Sequence, residues 1–268
     1  DRDWASGSSV WGNKRGNAFP DVFYKQAVTY DGTACTYDYD NNGPRKWYNT
    51  TDNPEATASD DYRYTFFAYY PQDHFTVESP ASASERGVPK LTFTMPFSAD
   101  GDVSDELDDT KTPDAMIAVV YNHLRTTGNV GFNFSHIMTG LGFAVNNYNY
   151  GGDDETVTVR KVTLSGNFTR SITVDFSKNT NEDGFYAYNG TYSGTYVIYN
   201  DAQGLEVVPN SSVSPIGDKH LLLLSNATDG TYFGTDVKVH VEYTYQGKKK
   251  TATAERPAGF QPRLGVRY

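Results

Sequence analysis

Residues 130–145, near the middle of the chain, alternate apolar and polar positions with a period of two, and the apolar phase changes at Gly140. The apolar positions are Val130, Phe132, Phe134, His136 and Met138 before the change, and Leu141, Phe143 and Val145 after it. Such alternation predicts a β-strand with one face in a core, and a phase change at a glycine predicts a bulge or a bend. We interpret the stretch as the seam between two β-domains, residues 1–128 and 129–268.

Short alternating or apolar segments recur on both sides of this seam. The predicted strands are residues 21–30, 62–70, 91–95, 115–121, 157–164, 172–176, 192–199, 205–208, 221–224, 235–246 and 249–254. A slip of phase at Arg160–Lys161 predicts a bulge, and Gln246-Gly247-Lys248 predicts a hairpin turn. Because no longer window repeats with the helical period of about 3.6, the pattern predicts an all-β fold of the sandwich or barrel type.

The composition indicates a hydrophobic core and argues against one class of partner. The 21 Tyr and 15 Phe can fill a hydrophobic core, and the net charge of −10 gives a surface that repels phosphate backbones. We therefore expect no nucleic-acid partner. Cys35 is the single cysteine, so neither an intrachain disulfide nor a cysteine zinc cluster is expected. The chain starts at Asp1, from which we expect a processed product whose signal or lipid anchor lies upstream.

Two acidic segments are candidates for cation binding. Asp38, Asp40, Asn42 and Gly43 have the spacing that opens a calcium loop, but Pro44 follows and Asn49 stands where the bidentate glutamate belongs. A plain turn is the favoured interpretation. Residues 100–109 are acidic, and a solvated loop is favoured over a cation site there.

The remaining polar motifs do not predict an active site. None of the five histidines has metal-ligand spacing with another histidine or the cysteine. His136 falls on the apolar phase and is interpreted as a hydrogen-bonded core residue, whereas His240 is interpreted as solvated. Lys248–Lys250 is interpreted as protection of a sheet edge. We predict no catalytic, cofactor-binding or metal-binding residue and no enzyme; an enzyme would need converging acids or a nucleophile–base pair in a pocket.

Five segments, in order, resemble the fimbrillin family of type V pili, found on Gram-negative anaerobes. They are Val28-Thr-Tyr30 with Lys46-Trp47 and Tyr64-Thr-Phe-Phe-Ala-Tyr-Tyr-Pro71, then Asp114-Ala-Met-Ile-Ala118, Phe132–Met138 with Leu141, Leu205–Pro209, and Val237–Tyr245. The resemblance covers nearly the whole chain. It implies two tandem transthyretin-like β-sandwich domains, without a catalytic site or cofactor.

The resemblance also implies how the protein is exported, processed and assembled. Members are lipoprotein precursors that reach the outer membrane, are trimmed at the N-terminus by a protease, and polymerise into a cell-surface fimbrium. The protease is Arg-specific in the best-known members, and Arg2 and Arg15 are the candidates here. Against the family pattern, we expect the last strand, near residues 260–268, to be trimmed or only begun, and the first to be missing or reduced to residues 1–9.

Two functions from different classes follow. The first is a pilus subunit that joins its neighbour by donor-strand exchange, with other pilin subunits and the processing protease as partners. The second is a surface adhesin or carbohydrate-binding tip protein that does not polymerise and binds a host protein or glycan. This second function is suggested by tyrosines that stand beside glycine and asparagine, which are Tyr148, Tyr150, Tyr186 and Tyr188.

Overall fold

The structure is a computed structural model, and within the ranges it describes the chain is all-β. It describes residues 23, 25–38, 63–78, 90–96, 114–124, 129–148, 155–176, 178–216, 220–224, 236–257, 259–260 and 262–268. In these ranges every regular element is a β-strand except one 3-10 helix, Gln72–His74. The predicted all-β class is thereby confirmed.

Strands β1 to β9 are short, and β10 and β11 are long. The first nine are β1 (Thr29–Tyr30), β2 (Cys35–Thr36), β3 (Arg63–Tyr70), β4 (Phe75–Glu78), β5 (Lys90–Thr94), β6 (Met116–Leu124), β7 (Ser135–His136), β8 (Thr139–Leu141) and β9 (Ala144–Val145). The others are β10 (Val157–Asp175), β11 (Tyr186–Val207), β12 (Ser214–Pro215), β13 (Leu221–Leu223), β14 (Lys238–Tyr245) and β15 (Lys248–Glu255).

The strands form several sheets, as expected for a β-sandwich. The largest has the order β15-β14-β10-β5-β4, with β11 also paired to β10. Among the described residues the smaller sheets are β3-β6-β7, β13-β8, β12-β9 and β1-β2. The predicted bulge is confirmed, because the register of β10 against β14 shifts between Val159 and Lys161.

The chain divides into two compact units, each built from separated segments. Unit 1 comprises Asp1–Phe93, Ile117–Ser135 and Thr173–Ala187, and unit 2 comprises Thr94–Met116, His136–Ile172 and Tyr188–Tyr268. Each unit takes segments from both sides of the predicted boundary between residues 128 and 129. Two consecutive domains with that boundary therefore stay a prediction.

Unit 1 has an aromatic core. Phe67 of β3 stacks on Phe176 with ring centroids 4.3 Å apart, and Phe176 lies 6.1 Å from Phe185. Phe75 packs 5.4 Å from the fully buried Phe93 of β5. The alternation of Ile172, Val174 and Phe176 predicts a buried Phe176, and this residue, which directly follows β10, is 1% exposed.

Unit 2 packs an apolar set that is both aliphatic and aromatic. Phe168 of β10 meets the ring of Tyr196 edge-on at 5.0 Å, and both are fully buried. Burial raises the pKa of Tyr192, whose hydroxyl contacts that of Tyr196. The other buried apolar residues on this unit's strands and loops include Ile137, Met138, Leu141, Val159, Val162, Leu164, Ile172, Leu221, Leu223 and Val237.

The predicted seam strand is wrong over its first half. Only Ser135–His136 of residues 130–138 forms a strand, and Phe132 and Phe134 are 37% and 42% exposed. The Phe132 ring packs on Phe134 and on Phe66, with centroids 6.4 and 6.0 Å apart. Alternation shows which side chains lie on the same side of a strand. It does not show whether another layer of the fold covers that side.

Candidate functional site

Strand β8 lies at the centre of the candidate site, because it is paired along both of its edges. Its residues Thr139, Gly140 and Leu141 are all buried. On one edge β13 runs antiparallel to it, with Leu222 opposite Gly140. Three consecutive leucines in β13 suit a strand of which Leu221 and Leu223 are buried.

The other edge of β8 is occupied by the C-terminal segment, which we define as residues 262–268. It runs parallel to β8 through a bridge between Gly140 and Arg267. The N–H groups of Gly140 and Gly142 donate to the carbonyls of Val266 and Tyr268, at 3.0 and 2.6 Å. In return, the N–H groups of Gly265 and Tyr268 donate to the carbonyls of Met138 and Gly140, at 2.9 and 2.8 Å.

Gly140 and Gly142 permit this close approach. A Cβ at Gly140 would lie 3.0 Å from Cγ of Arg267, and a Cβ at Gly142 would lie 3.2 Å from the carbonyl oxygen of Tyr268. The phase change at Gly140 predicts a bulge or a bend, but in the structure the two glycines have a different role. They leave room for the C-terminal segment, which lies more than a hundred residues further along the chain.

The C-terminal segment is fixed mainly through its backbone. Thr139 Oγ1 donates to the carbonyl of Arg263 at 2.7 Å, and the Arg263 N–H donates to the Tyr268 hydroxyl at 3.1 Å. Val266 and Tyr268 remain 38% and 42% exposed, although the Tyr268 ring packs edge-on against Phe260. Apolar side chains that stay so exposed contribute only part of their full burial energy.

Two motifs that carry the family resemblance meet beside β8, within unit 2. Nδ1 of His136 lies 2.7 Å from Oδ2 of Asp114. The N–H of Ile137 donates to the carbonyl of Ala115 at 2.9 Å, and the N–H of Ala115 contacts the sulfur of Met138 at 3.5 Å. His136 is hydrogen-bonded as predicted, but the predicted core position is wrong, because its side chain is 47% exposed.

His240 is a second correction. The sequence predicts a solvated side chain, yet both ring nitrogens have partners on neighbouring strands. Nε2 lies 2.8 Å from Ser165 Oγ of β10, and Nδ1 lies 3.0 Å from Thr253 Oγ1 of β15. A hydroxyl stands on Nδ1 where a catalytic triad has a carboxylate, so the three side chains form a cross-strand polar ladder.

The tyrosines named for the adhesin hypothesis have different surroundings. Tyr148 is 64% exposed, after β9. Tyr186 is half-buried on β11, its ring lies 4.7 Å from that of Phe185, and burial raises its pKa. Tyr188 is half-buried as well, and Tyr150 lies outside the described residues.

Several other predictions fall on residues outside the described ranges. These are Arg2, Arg15, Lys46, Trp47, the calcium-like positions after Asp38, and the acidic residues 100–109. In the part of the chain that is described, no group of three or more His, Cys, Asp or Glu could hold a metal ion. No helix in that part is long and apolar enough to cross a membrane.

No model of a protein family matches the sequence, and no curated protein matches it at a significant level. One solved structure that the chain resembles is a Bacteroides uniformis protein with a proposed role in cell adhesion, at 17% sequence identity and a TM-score of 0.41. The match covers 78% of this chain and 66% of that one, slightly less than two thirds. A likeness this weak carries no argument about function, so membership of the fimbrillin family stays a prediction.

Proposed function

We propose that the protein is a fimbrillin-type subunit of a cell-surface fimbria, without catalytic activity, that joins its neighbour by exchanging the strand beside β8. The proposal includes a lipoprotein precursor exported to the outer membrane and trimmed by a protease. One observation carries it: β8 accepts a parallel outer segment that is hydrogen-bonded through its backbone and whose Val266 and Tyr268 side chains are 38% and 42% exposed.

Release of the C-terminal segment would expose one edge of β8. The carbonyls of Met138 and Gly140 and the N–H groups of Gly140 and Gly142 would then lack their partners. Unpaired donors and acceptors that alternate along a strand are the template that β-augmentation uses. A strand from another subunit can replace all four hydrogen bonds.

The free energy of exchange depends on what the resident segment loses and on what the incoming strand gains. Each backbone hydrogen bond contributes about 0.5–1.5 kcal/mol net, so the four bonds of the resident segment amount to roughly 2–6 kcal/mol. A donor strand that inserts about five apolar side chains gains roughly 7–15 kcal/mol before the cost of ordering it. Exchange is therefore favourable when this gain, after the cost of ordering the donor strand, exceeds the hydrogen bonds and the partial apolar burial that the resident segment gives up.

The family resemblance supports the same function through contacts. The residues 114–118 and 132–138 were matched as separate motifs, and Asp114 and His136 lie 2.7 Å apart. The N–H of Ala115, the residue after Asp114, contacts the sulfur of Met138, whose carbonyl accepts from Gly265 of the exchangeable segment. Motifs of the resemblance thus lie at the strand that the proposal uses.

The test is assembly after trimming. The purified chain and a sample treated briefly with an arginine-specific protease are compared on unheated SDS gels and by electron microscopy. We expect ladders and filaments from the trimmed sample and neither from the untreated one. Arg2→Gln and Arg15→Gln variants, with N-terminal sequencing, identify the productive cut. Trimmed protein that never forms a ladder would overturn the proposal.

The second candidate, a non-polymerising adhesin, is favoured only by the exposure of Tyr148. An exposed aromatic ring can stack on a sugar or a host protein. Glycan-array binding that is lost in Tyr148→Ala, in a chain that forms no ladder after trimming, would replace the first proposal by this one. Tyr186→Ala is a poor probe, because its half-buried ring packs on Phe185.

A further inference from the structure

Strand β15 presents a complete, exposed edge. All eight of its residues are exposed, and it ends the strand order of the largest sheet. On its inner side it pairs with β14, from Tyr245 opposite Lys248 to Lys238 opposite Glu255. No strand lies on its outer side among the residues that the structure describes.

The hairpin turn decides which backbone groups point outward. Gln246 and Gly247 have φ of 50° and 70°, as a two-residue type I′ turn requires. In such a hairpin the residues that flank the turn exchange hydrogen bonds with each other, so Lys248 bonds to Tyr245. Because the pattern alternates, the N–H and C=O groups of alternate β15 residues point away from β14. These residues are Lys249, Thr251, Thr253 and Glu255.

The same four residues share one face of the sheet. The contact between Thr253 Oγ1 and His240 Nδ1 at 3.0 Å shows that this is the polar face. The row begins with a cation at Lys249 and ends with an anion at Glu255, whose carboxylate lies 3.4 Å from Nζ of Lys238. Glu255 is nonetheless 75% exposed, so its carboxylate can accept a second cation.

We propose that β15 pairs antiparallel with β15 of a second copy of the chain, across a two-fold axis. In the register that uses all four outward residues, Lys249 lies opposite the partner's Glu255 and Thr251 opposite the partner's Thr253. The axis repeats both pairs, and each pair exchanges two backbone hydrogen bonds. Opposite charges and paired threonines are favourable cross-strand neighbours.

Competing registers are poorer. A shift by two residues places Lys249 opposite the partner's Thr253, or Thr251 opposite the partner's Glu255, and so loses both ion pairs. A run of lysines ordinarily protects an edge, because it meets lysines when an identical strand pairs in parallel. Antiparallel pairing removes this protection, because Glu255 stands at the other end of the strand.

This association is independent of strand exchange at β8, because β15 and β8 are different strands in different sheets. The test uses the full, untrimmed chain, in which the proposed polymerisation does not take part. Sedimentation velocity and native mass spectrometry at low salt should give a concentration-dependent dimer. A chain that is monomeric at all concentrations would overturn the proposal.

Charge swaps test the register. Lys249→Glu and Glu255→Lys should each raise the dimer dissociation constant about tenfold, because each places two pairs of like charges opposite one another. The two variants mixed together should form a heterodimer, and the double variant should dimerise as the parent does. Lys250→Glu is the matched control, because it changes the charge equally but lies opposite the partner's Ala254. Equal weakening by all three substitutions, or no heterodimer in the mixture, would contradict the register.

Discussion

Phe176 is held on two sides by aromatic rings. Phe67 stacks on it at 4.3 Å and Phe185 lies at 6.1 Å, and the side chain is 1% exposed. Removal of a buried ring loses its transfer free energy and leaves a cavity that neighbouring rings fill only in part.

We expect Phe176→Ala to lower the free energy of unfolding by about 3–5 kcal/mol, measured by urea denaturation. Phe134→Ala is the matched control, because Phe134 is 42% exposed. That substitution should cost less than about 1 kcal/mol. Similar losses in both variants would mean that the seam is part of the core after all.

At this scale, the sequence predicts the buried face only where a strand is continuous. Ile172 and Val174 in β10 alternate with Phe176, which directly follows the strand, and all three are buried, as predicted. Phe132 and Phe134 alternate equally well, but they precede a two-residue strand and stay exposed. The place of His240 on the polar face of its strand predicts a solvated side chain, whereas cross-strand hydroxyls contact both of its ring nitrogens.

At the scale of elements, β8 and its outer segment are the least predictable part of the fold. Local patterns predicted the bulge and the two ends of β10, as separate strands 157–164 and 172–176, and the hairpin of β14 and β15, because those signals lie in adjacent residues. Pairing of Gly140 with Arg267 depends on residues far apart, and no local pattern encodes it. The two glycines were a visible signal, but one that a bend explains equally well.

Gly142→Ala tests whether the C-terminal segment is held by close backbone approach. The new methyl group would lie 3.2 Å from the Tyr268 carbonyl oxygen, and overpacking of this kind costs about 1–3 kcal/mol. We expect the Gly140 and Tyr268 amides to exchange hydrogen about tenfold faster or more, while the amides of β10 keep their rates.

Gly131→Ala is the control for this experiment, because a Cβ there has nothing within 4 Å. Its exchange rates should match those of the parent. Unchanged exchange in Gly142→Ala would show that the segment adapts without loosening. Faster exchange throughout β10 would show that the substitution unfolds the protein instead of releasing one segment.

At the scale of the whole molecule, the all-β class could be predicted and the division into units could not. Unit 1 includes residues from three separated segments, and so does unit 2, with β10 and β11 contributing to both. A hydrophobic pattern read along the chain assigns neighbours in sequence to one domain. That pattern does not show that a segment packs into the same unit as another segment far from it in the sequence.

If subunits join by strand exchange at β8, the C-terminal segment must leave β8 first. A disulfide between the two strands can hold it in place. A Cβ at Gly140 lies 3.7 Å from Cβ of Arg267, within the range that a disulfide requires. Cys35 is exposed, so it is replaced by serine to leave only the new pair.

The decisive measurement is therefore assembly of trimmed Cys35→Ser/Gly140→Cys/Arg267→Cys protein, followed as ladders on unheated gels. Trimmed Cys35→Ser/Gly140→Cys protein, with a single new cysteine, should form ladders under both redox conditions. The locked protein should remain monomeric when oxidised and form ladders once a thiol reductant opens the disulfide. Oxidised, locked protein that assembles as readily as reduced protein would contradict strand exchange at β8.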